Sequence, residues 1–151
     1  AANELTPTRH AMNRSKQIQI NNDLSELERL NLLVEEFGGE NNFKTEEEYA
    51  IYLCLEEMVT NVISYAWSDG EEHAISIRLS VDEEAIKVEI DDDGAEFNPV
   101  EFGKPDTTAP AEERQIGGLG IHLVKQTMDD MFYQRVDERN VLILKKNRIQ
   151  S

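Results

Sequence analysis

Two runs constrain this fold most: Ile75-Ser76-Ile77-Arg78-Leu79-Ser80-Val81 and Ile86-Lys87-Val88-Glu89-Ile90, in which apolar and polar residues alternate strictly across a short acidic turn. A period of two puts every apolar side chain on one face of an extended strand, so the pair reads as a β-hairpin with one wet and one buried face. Such a hairpin is marginal alone and needs a second layer over its apolar face. The upstream chain supplies two helical candidates. Leu24, Leu27, Leu30, Leu33, Val34 and Phe37 share one helical face, and Gly38-Gly39 is expected to end that helix. Thr45, with Glu48 three residues later, has the spacing of a capping box and is expected to open a second helix running to about Trp67, where Asp69-Gly70 stops it. Ile18 and Ile20 alternate with glutamines as a short first strand. Downstream, a third helix is expected from the glycines at 117–120 to about Asp130, followed by strands over 131–136 and 140–146. The order β, α, α, β, β, long loop, α, β, β predicts an α+β fold: a two-layer α/β sandwich, its sheet mainly antiparallel and its helices on one face.

A chain of 151 residues with 39% hydrophobic content supports one core. Residues 1–15 are expected to lie outside it as a disordered or non-native N-terminus, 16–147 to form the domain, and 148–151 to be a tail. Thirty-one acidic against fifteen basic residues give a formal net charge of -16, and no segment gathers enough lysine and arginine to follow a phosphate backbone. The balance argues against direct nucleic-acid binding and against an anionic membrane surface, and a bound polyphosphate would need local help from a metal, helix N–H groups or lysines. The single cysteine, Cys54, excludes an intrachain disulfide, and there is neither an eighteen-residue apolar run nor a signal-peptide pattern. A cytoplasmic protein is the expectation.

Several polar residues fall where the pattern wants apolar ones. In the second helix Asn61 lies within the apolar arc and Glu57 at its margin. Four residues apart, they stack on one face, so a carboxylate and an amide oxygen project together from a largely buried helix. The spacing alone admits a plainer reading, in which Glu57 reaches water and Asn61 bonds a nearby loop. The chemical reading makes the Asn61 oxygen a ligand of Mg²⁺ and Glu57 an acceptor for the proton of an attacking hydroxyl. Glu56 is the rival for that role but lies about 100° away on the wheel. Asp92 falls on the side of Ile86, Val88 and Ile90, where a carboxylate needs a donor such as the exocyclic amine of adenine; an acidic surface turn capped by Gly94 accounts for Asp91 and Asp93 but not for Asp92.

Between Gly94 and Ile116 no period survives, as expected of a functional or disordered loop, and Lys104 and Arg114 within it read first as solvated loop cations, with neutralisation of phosphate charge on loop closure as the chemical alternative. Gly117-Gly118-Leu119-Gly120 then opens a helix whose Leu119, Leu123 and Val124 are expected to face the core, leaving first-turn N–H groups for phosphate oxygens, with a flexible hinge or tight loop as the plainer reading of the glycines. This run matches neither the P-loop nor a G-x-G-x-x-G pattern. His73 and His122 lack spaced partners and read as structural or surface residues, and Cys54 as a small buried hydrophobe.

In this order, the segments Leu55-Glu56-Glu57-Met58-Val59-Thr60-Asn61, Asp92-Asp93-Gly94 with Phe97-Asn98-Pro99, and Gly117-Gly118-Leu119-Gly120-Ile121-His122-Leu123-Val124 resemble the three ATP-binding boxes of the GHKL superfamily. Thr60-Asn61, Phe97-Asn98-Pro99 and Met128-Asp129 resemble more narrowly the bacterial anti-sigma factor serine/threonine kinases, over roughly residues 18–146. The resemblance implies a Bergerat-type ATP-binding fold, with Glu57 as base, Asn61 on Mg²⁺, Asp92 and Gly94 at adenine, and the glycine box from Gly117 through Gly118 and Leu119 to Gly120 holding the phosphates. It implies transfer of the ATP γ-phosphoryl to a serine or threonine of an anti-anti-sigma (STAS-domain) partner, a sequestered sigma factor, and a homodimer. An ATP-dependent partner-binding switch without kinase activity is the alternative. Tyr65 and Glu96 stand where many relatives carry histidine and glycine, which implies a subgroup with a drifted partner surface and lid.

Overall fold

The computed structural model describes residues 14–102 and 118–150. Gly117, Lys104 and Arg114, with the rest of residues 103–117, lie outside the described residues, as do residues 1–13 and Ser151. The elements follow the expected order: β1 (Arg14–Asn21), a 3-10 turn (Leu24–Glu26), α1 (Leu27–Glu40), α2 (Thr45–Tyr65), β2 (Ala74–Val81), β3 (Ala85–Asp92), a second 3-10 turn (Pro99–Glu101), α3 (Gly118–Thr127), β4 (Asp130–Val136) and β5 (Arg139–Asn147). Strand β1 starts at Arg14, two residues ahead of the expected domain boundary.

The strands form one five-stranded sheet in the order β1-β2-β3-β5-β4, with every neighbouring pair antiparallel. The hairpin is the one the alternation specifies: Ile77 pairs with Ile90, Leu79 with Val88 and Val81 with Ile86, all buried on one face, while Arg78 and Lys87 point to solvent on the other. The Asp82 carboxylate closes the turn by accepting from the N–H groups of Glu84 (2.8 Å) and Ala85 (2.9 Å). The buried face meets Leu30, Val34 and Phe37 of α1, Ile51, Leu55, Met58 and Val59 of α2, and Ile121 and Val124 of α3 in a single cluster, so the helices cover one side of the sheet only. Burying each of these Leu, Ile or Val side chains contributes about 1.5–3 kcal/mol, which is what sets the register against a one-residue slip. No helix among the described residues is long and apolar enough to cross a membrane.

Three local expectations are corrected. Helix α1 does not stop at Gly38-Gly39 but runs to Glu40, and Asn41 closes it by donating its amide to the Phe37 carbonyl at 2.9 Å. Gly38 has a packing role instead: a Cβ there would lie 3.1 Å from the Phe43 ring and 2.7 Å from the Glu48 carboxylate. Helix α2 begins at Thr45 with Lys44 as its cap residue, and it is Glu47, not Glu48, that reaches back to accept from the Lys44 N–H at 2.7 Å. Glu47 is also the anchor for the chain end. Its carboxylate accepts from Arg148 Nε (2.9 Å) and the Ile149 N–H (2.8 Å), docking residues read in the sequence as the start of a tail. In α3 the inward face is Ile121, Val124 and, just past the helix, Met128; Leu119 and Leu123, expected to face the core, are 63% and 40% exposed. The spacing i, i+3, i+7 of the buried set fixes the face, and Leu119 and Leu123, four apart, lie together off it.

Candidate functional site

A cavity of about 390 Å³ opens between the C-terminal half of α2, the inner ends of β3, β4 and β5, and the segment after β3. Met58, Val62, Ile90, Leu142, Phe97 and Phe102 give it largely apolar walls, and Asn61, Asp92 and Asn140 are among its polar groups. Its size and mix of a mostly apolar lining with a few fixed polar groups suit a planar heterocycle.

Asp92 ends β3 on the inward face, as its period predicts, and is only 3% exposed. Its Oδ1 accepts the Gly94 N–H at 2.9 Å and Asn140 Nδ2 at 2.9 Å, and the residue lines the cavity. Gly94 follows because the turn lies hard against α2: a Cβ on Gly94 would clash with Ala66 Cβ and stand 2.8 Å from the Ala66 carbonyl oxygen, which accepts the Ala95 N–H at 2.8 Å. Only glycine permits that approach. Asp93 points away and accepts from Trp67 Nε1 at 3.2 Å. Asp91 is a sheet residue, not a turn residue: it pairs with Ser76 and Val141, and burial, reinforced by neighbouring Glu89, pushes its carboxyl up to about 6.

Glu57 and Asn61 are both half-buried on α2, one turn apart, whereas Glu56 is exposed. Among the described residues no hydrogen bond engages the Glu57 or Asn61 side chain, and Asn61 lines the cavity. Glu57 lies against the glycine box: a Cβ added to Gly120 would sit 2.5 Å from Glu57 Oε1. Gly118 is buried, yet a Cβ there would meet nothing within 4 Å among the described residues. The first turn of α3, whose N–H groups have no partner within the helix itself, therefore stands beside the Glu57 carboxylate. Leu119 is on the outer side of that turn.

The oxygen donors fit one hard cation that keeps most of its ligands from elsewhere. Among the described residues no group of three or more His, Cys, Asp or Glu side chains could cage a metal, while the Asn61 amide oxygen is unengaged. On the far side, Lys125 of α3 donates to the Val100 carbonyl (2.8 Å) and to the Phe102 carbonyl, and the Phe97 and Phe102 rings meet edge to face at 5.1 Å. The segment bounding the cavity mouth is thus tied to the helix that carries the glycines.

Two residues absent from the expected set shape the floor. Asn140, 6% exposed and second in β5, lies directly opposite Asp92, and Tyr133 of β4 donates its hydroxyl to Asn140 Oδ1 at 2.6 Å. The signal was present, since Asn140 precedes Leu142 and Leu144 on the inward side of β5, the same argument that singles out Asp92. The remaining candidates are placed elsewhere. His73 stacks on Trp67 (4.5 Å, 6° between planes) and meets Asp69 at 2.8 Å. His122 has no hydrogen bond or ion pair among the described residues, and burial pushes the Cys54 thiol up. None of the three lines the cavity.

The family model for the histidine kinase-like ATPase domain matches residues 20–146. The serine/threonine-protein kinase BtrW of Bordetella bronchiseptica is 30% identical over 96 residues, 64% of this chain and 68% of that protein. The serine-protein kinase RsbW of Listeria monocytogenes is 30% identical over 52% of this chain and 53% of its own length, and RsbW of Oceanobacillus iheyensis 29% identical over 59% of each. The chain thus spans little more than half the length of the RsbW relatives it matches.

Proposed function

This chain belongs to the histidine kinase-like ATPase domain family, and from that premise we propose that it is a protein serine/threonine kinase of the anti-sigma factor type, transferring the γ-phosphoryl of ATP to a hydroxyl of an anti-anti-sigma (STAS-domain) partner. The observation that carries the reading is the close approach of Glu57 to Gly120: it sets a carboxylate with no hydrogen-bond partner among the described residues against the N-terminal turn of α3, one helical turn from Asn61, which lines the same cavity as Asp92. The adenine would occupy that cavity with its exocyclic amine toward Asp92, and the phosphates would run toward the N–H groups of Gly118, Leu119 and Gly120. Gly117, outside the described residues, belongs to the same box. Mg²⁺, held by Asn61 and by phosphate oxygens, would supply neutralisation of phosphate charge, which a chain of net charge -16 does not provide in bulk.

Phosphoryl transfer asks the protein mainly to position and neutralise. Glu57 orients the attacking serine or threonine hydroxyl and takes its proton as the new P–O bond forms and the bond to the ADP leaving group breaks. The names of the BtrW and RsbW relatives support the reaction class. The STAS partner, a sequestered sigma factor and a homodimer are the associations that go with it.

Glu57→Gln removes the base while keeping shape. Transfer from labelled ATP to a STAS-domain protein of the same genome should fall by about 10²–10⁴-fold, with ATP affinity changed little. Equal transfer by the variant would remove Glu57 from the chemistry. ATP binding without transfer in the wild type would support the partner-binding switch instead.

A further inference from the structure

Asp92 is not alone at the cavity floor, and its neighbour is saturated. Asn140 Nδ2 donates to Asp92 Oδ1 (2.9 Å) and to the Ala95 carbonyl (2.9 Å), while Asn140 Oδ1 accepts the Tyr133 hydroxyl (2.6 Å) and the Phe97 N–H (3.3 Å). Both amide hydrogens and both lone pairs are thereby used, so Asn140 offers a ligand nothing. The orientation of the amide is also forced. Turning it over would set the NH₂ against the Phe97 N–H, which can only donate, and the carbonyl oxygen against two groups that only accept, the Asp92 carboxylate and the Ala95 carbonyl.

We infer that Asn140, locked by Tyr133, is a positioning residue that fixes base selectivity: it holds Asp92 Oδ1 and leaves Oδ2 as the oxygen turned to the base. Both hydrogen bonds that Asp92 accepts among the described residues fall on Oδ1. A floor that presents only an acceptor favours a purine with an amine at position 6 and opposes one with a carbonyl there, because two acceptors would face each other in a site of low polarity. The same amide ties the turn after β3 at Ala95 and Phe97 to β5, so the wall beside the base keeps one spacing from Asp92. Buried networks of this kind are decisive when every member is satisfied.

This inference rests on the ATP reading of the cavity, and the test separates the two. Affinities for ATP and for inosine triphosphate, which carries a carbonyl at position 6, are measured by titration calorimetry on the wild type, Asn140→Asp, Asn140→Leu and Tyr133→Phe. The wild type should prefer ATP by on the order of a hundredfold. Asn140→Asp sets a second carboxyl against Asp92, and Asn140→Leu frees the Asp92 carboxylate to rotate; each should lower the ATP preference at least about tenfold, a ratio that a general loss of packing would leave unmoved because both nucleotides would weaken together. Tyr133→Phe, the mildest change, decides the matter should neither Asn140 variant fold, and should lower the preference about threefold. An unchanged ratio in a folded Asn140 variant, or in Tyr133→Phe where those variants do not fold, overturns the assignment of Asn140 while leaving the ATP site standing. A wild type that binds neither nucleotide overturns the ATP reading itself.

Discussion

At the scale of single residues, the two glycines that touch the site should fail differently. A methyl at Gly94 meets the Ala66 backbone carbonyl, which cannot step aside without moving the end of α2. Gly94→Ala should therefore destabilise the domain by about 1–3 kcal/mol, read as a lower thermal midpoint, and weaken nucleotide binding with it. The nearest atoms a methyl at Gly120 meets among the described residues are the far end of the Glu57 side chain. Gly120→Ala should leave the thermal midpoint within a few degrees and reduce phosphoryl transfer at least about tenfold, because the carboxylate swings out of line; a variant that unfolds, or one that transfers at the wild-type rate, would contradict the close approach of Glu57. What the sequence made legible at this scale were two polar residues that break the apolar period of their own element. Asp92 interrupts an apolar β-face and Asn61 an apolar helical arc, and both line the cavity. Asn140 breaks the period of β5 in the same way, but its meaning depends on lying opposite Asp92, and strand neighbours far apart in sequence are not written in either strand alone.

At the scale of elements, the start of α2 is held by the end of the chain. Burial raises the Glu47 carboxyl, but the N–H groups of Lys44 and Ile149 and the Arg148 guanidinium more than offset that and hold it below its ordinary value of 4.5. A folded-state value below the unfolded one contributes stability that is complete above about 4.5 and is lost as pH falls through the folded value. Arg148→Ala should cost about 1.5–3 kcal/mol at neutral pH, and the gap between its thermal midpoint and that of the wild type should narrow below pH 4.5 without closing. The residue of the gap is the packing of Arg148 over the Phe43 ring at 5.5 Å, which does not titrate in this range. A gap independent of pH would contradict the clamp. Helix ends were the least legible elements for a related reason. Thr45 and Glu48 have the right spacing for a cap, yet Lys44 is the cap residue and Glu47 therefore the one that reaches back to it, while Arg148, 101 positions away, binds its other oxygen. The exposed Leu119 and Leu123 were misplaced likewise: in a ten-residue helix several apolar faces compete, and contact with the sheet chooses among them.

At the scale of the molecule, the alternation of β2 and β3 and the two helical faces before them pointed to a one-sided sheet covered by helices, an arrangement that buries all three apolar surfaces in one cluster. The strand order, with β5 inserted between β3 and β4, was not legible, and it is this insertion that brings Asn140 and Tyr133 beneath the cavity. The fold thus places an apolar slot with an acidic floor at one end of α2 and a carboxylate beside a helix N-terminus one turn earlier, a geometry that asks for a nucleotide rather than for either half of one. Titration calorimetry with ATP and Mg²⁺ on the wild type and on Asp92→Asn, each checked for folding by circular dichroism, addresses that claim most directly. Saturable one-to-one binding by the wild type, weakened at least about tenfold in the variant and reduced when Mg²⁺ is withheld, is the expected result. Absence of binding by the folded wild type at millimolar ATP, or equal binding by both proteins, would contradict it.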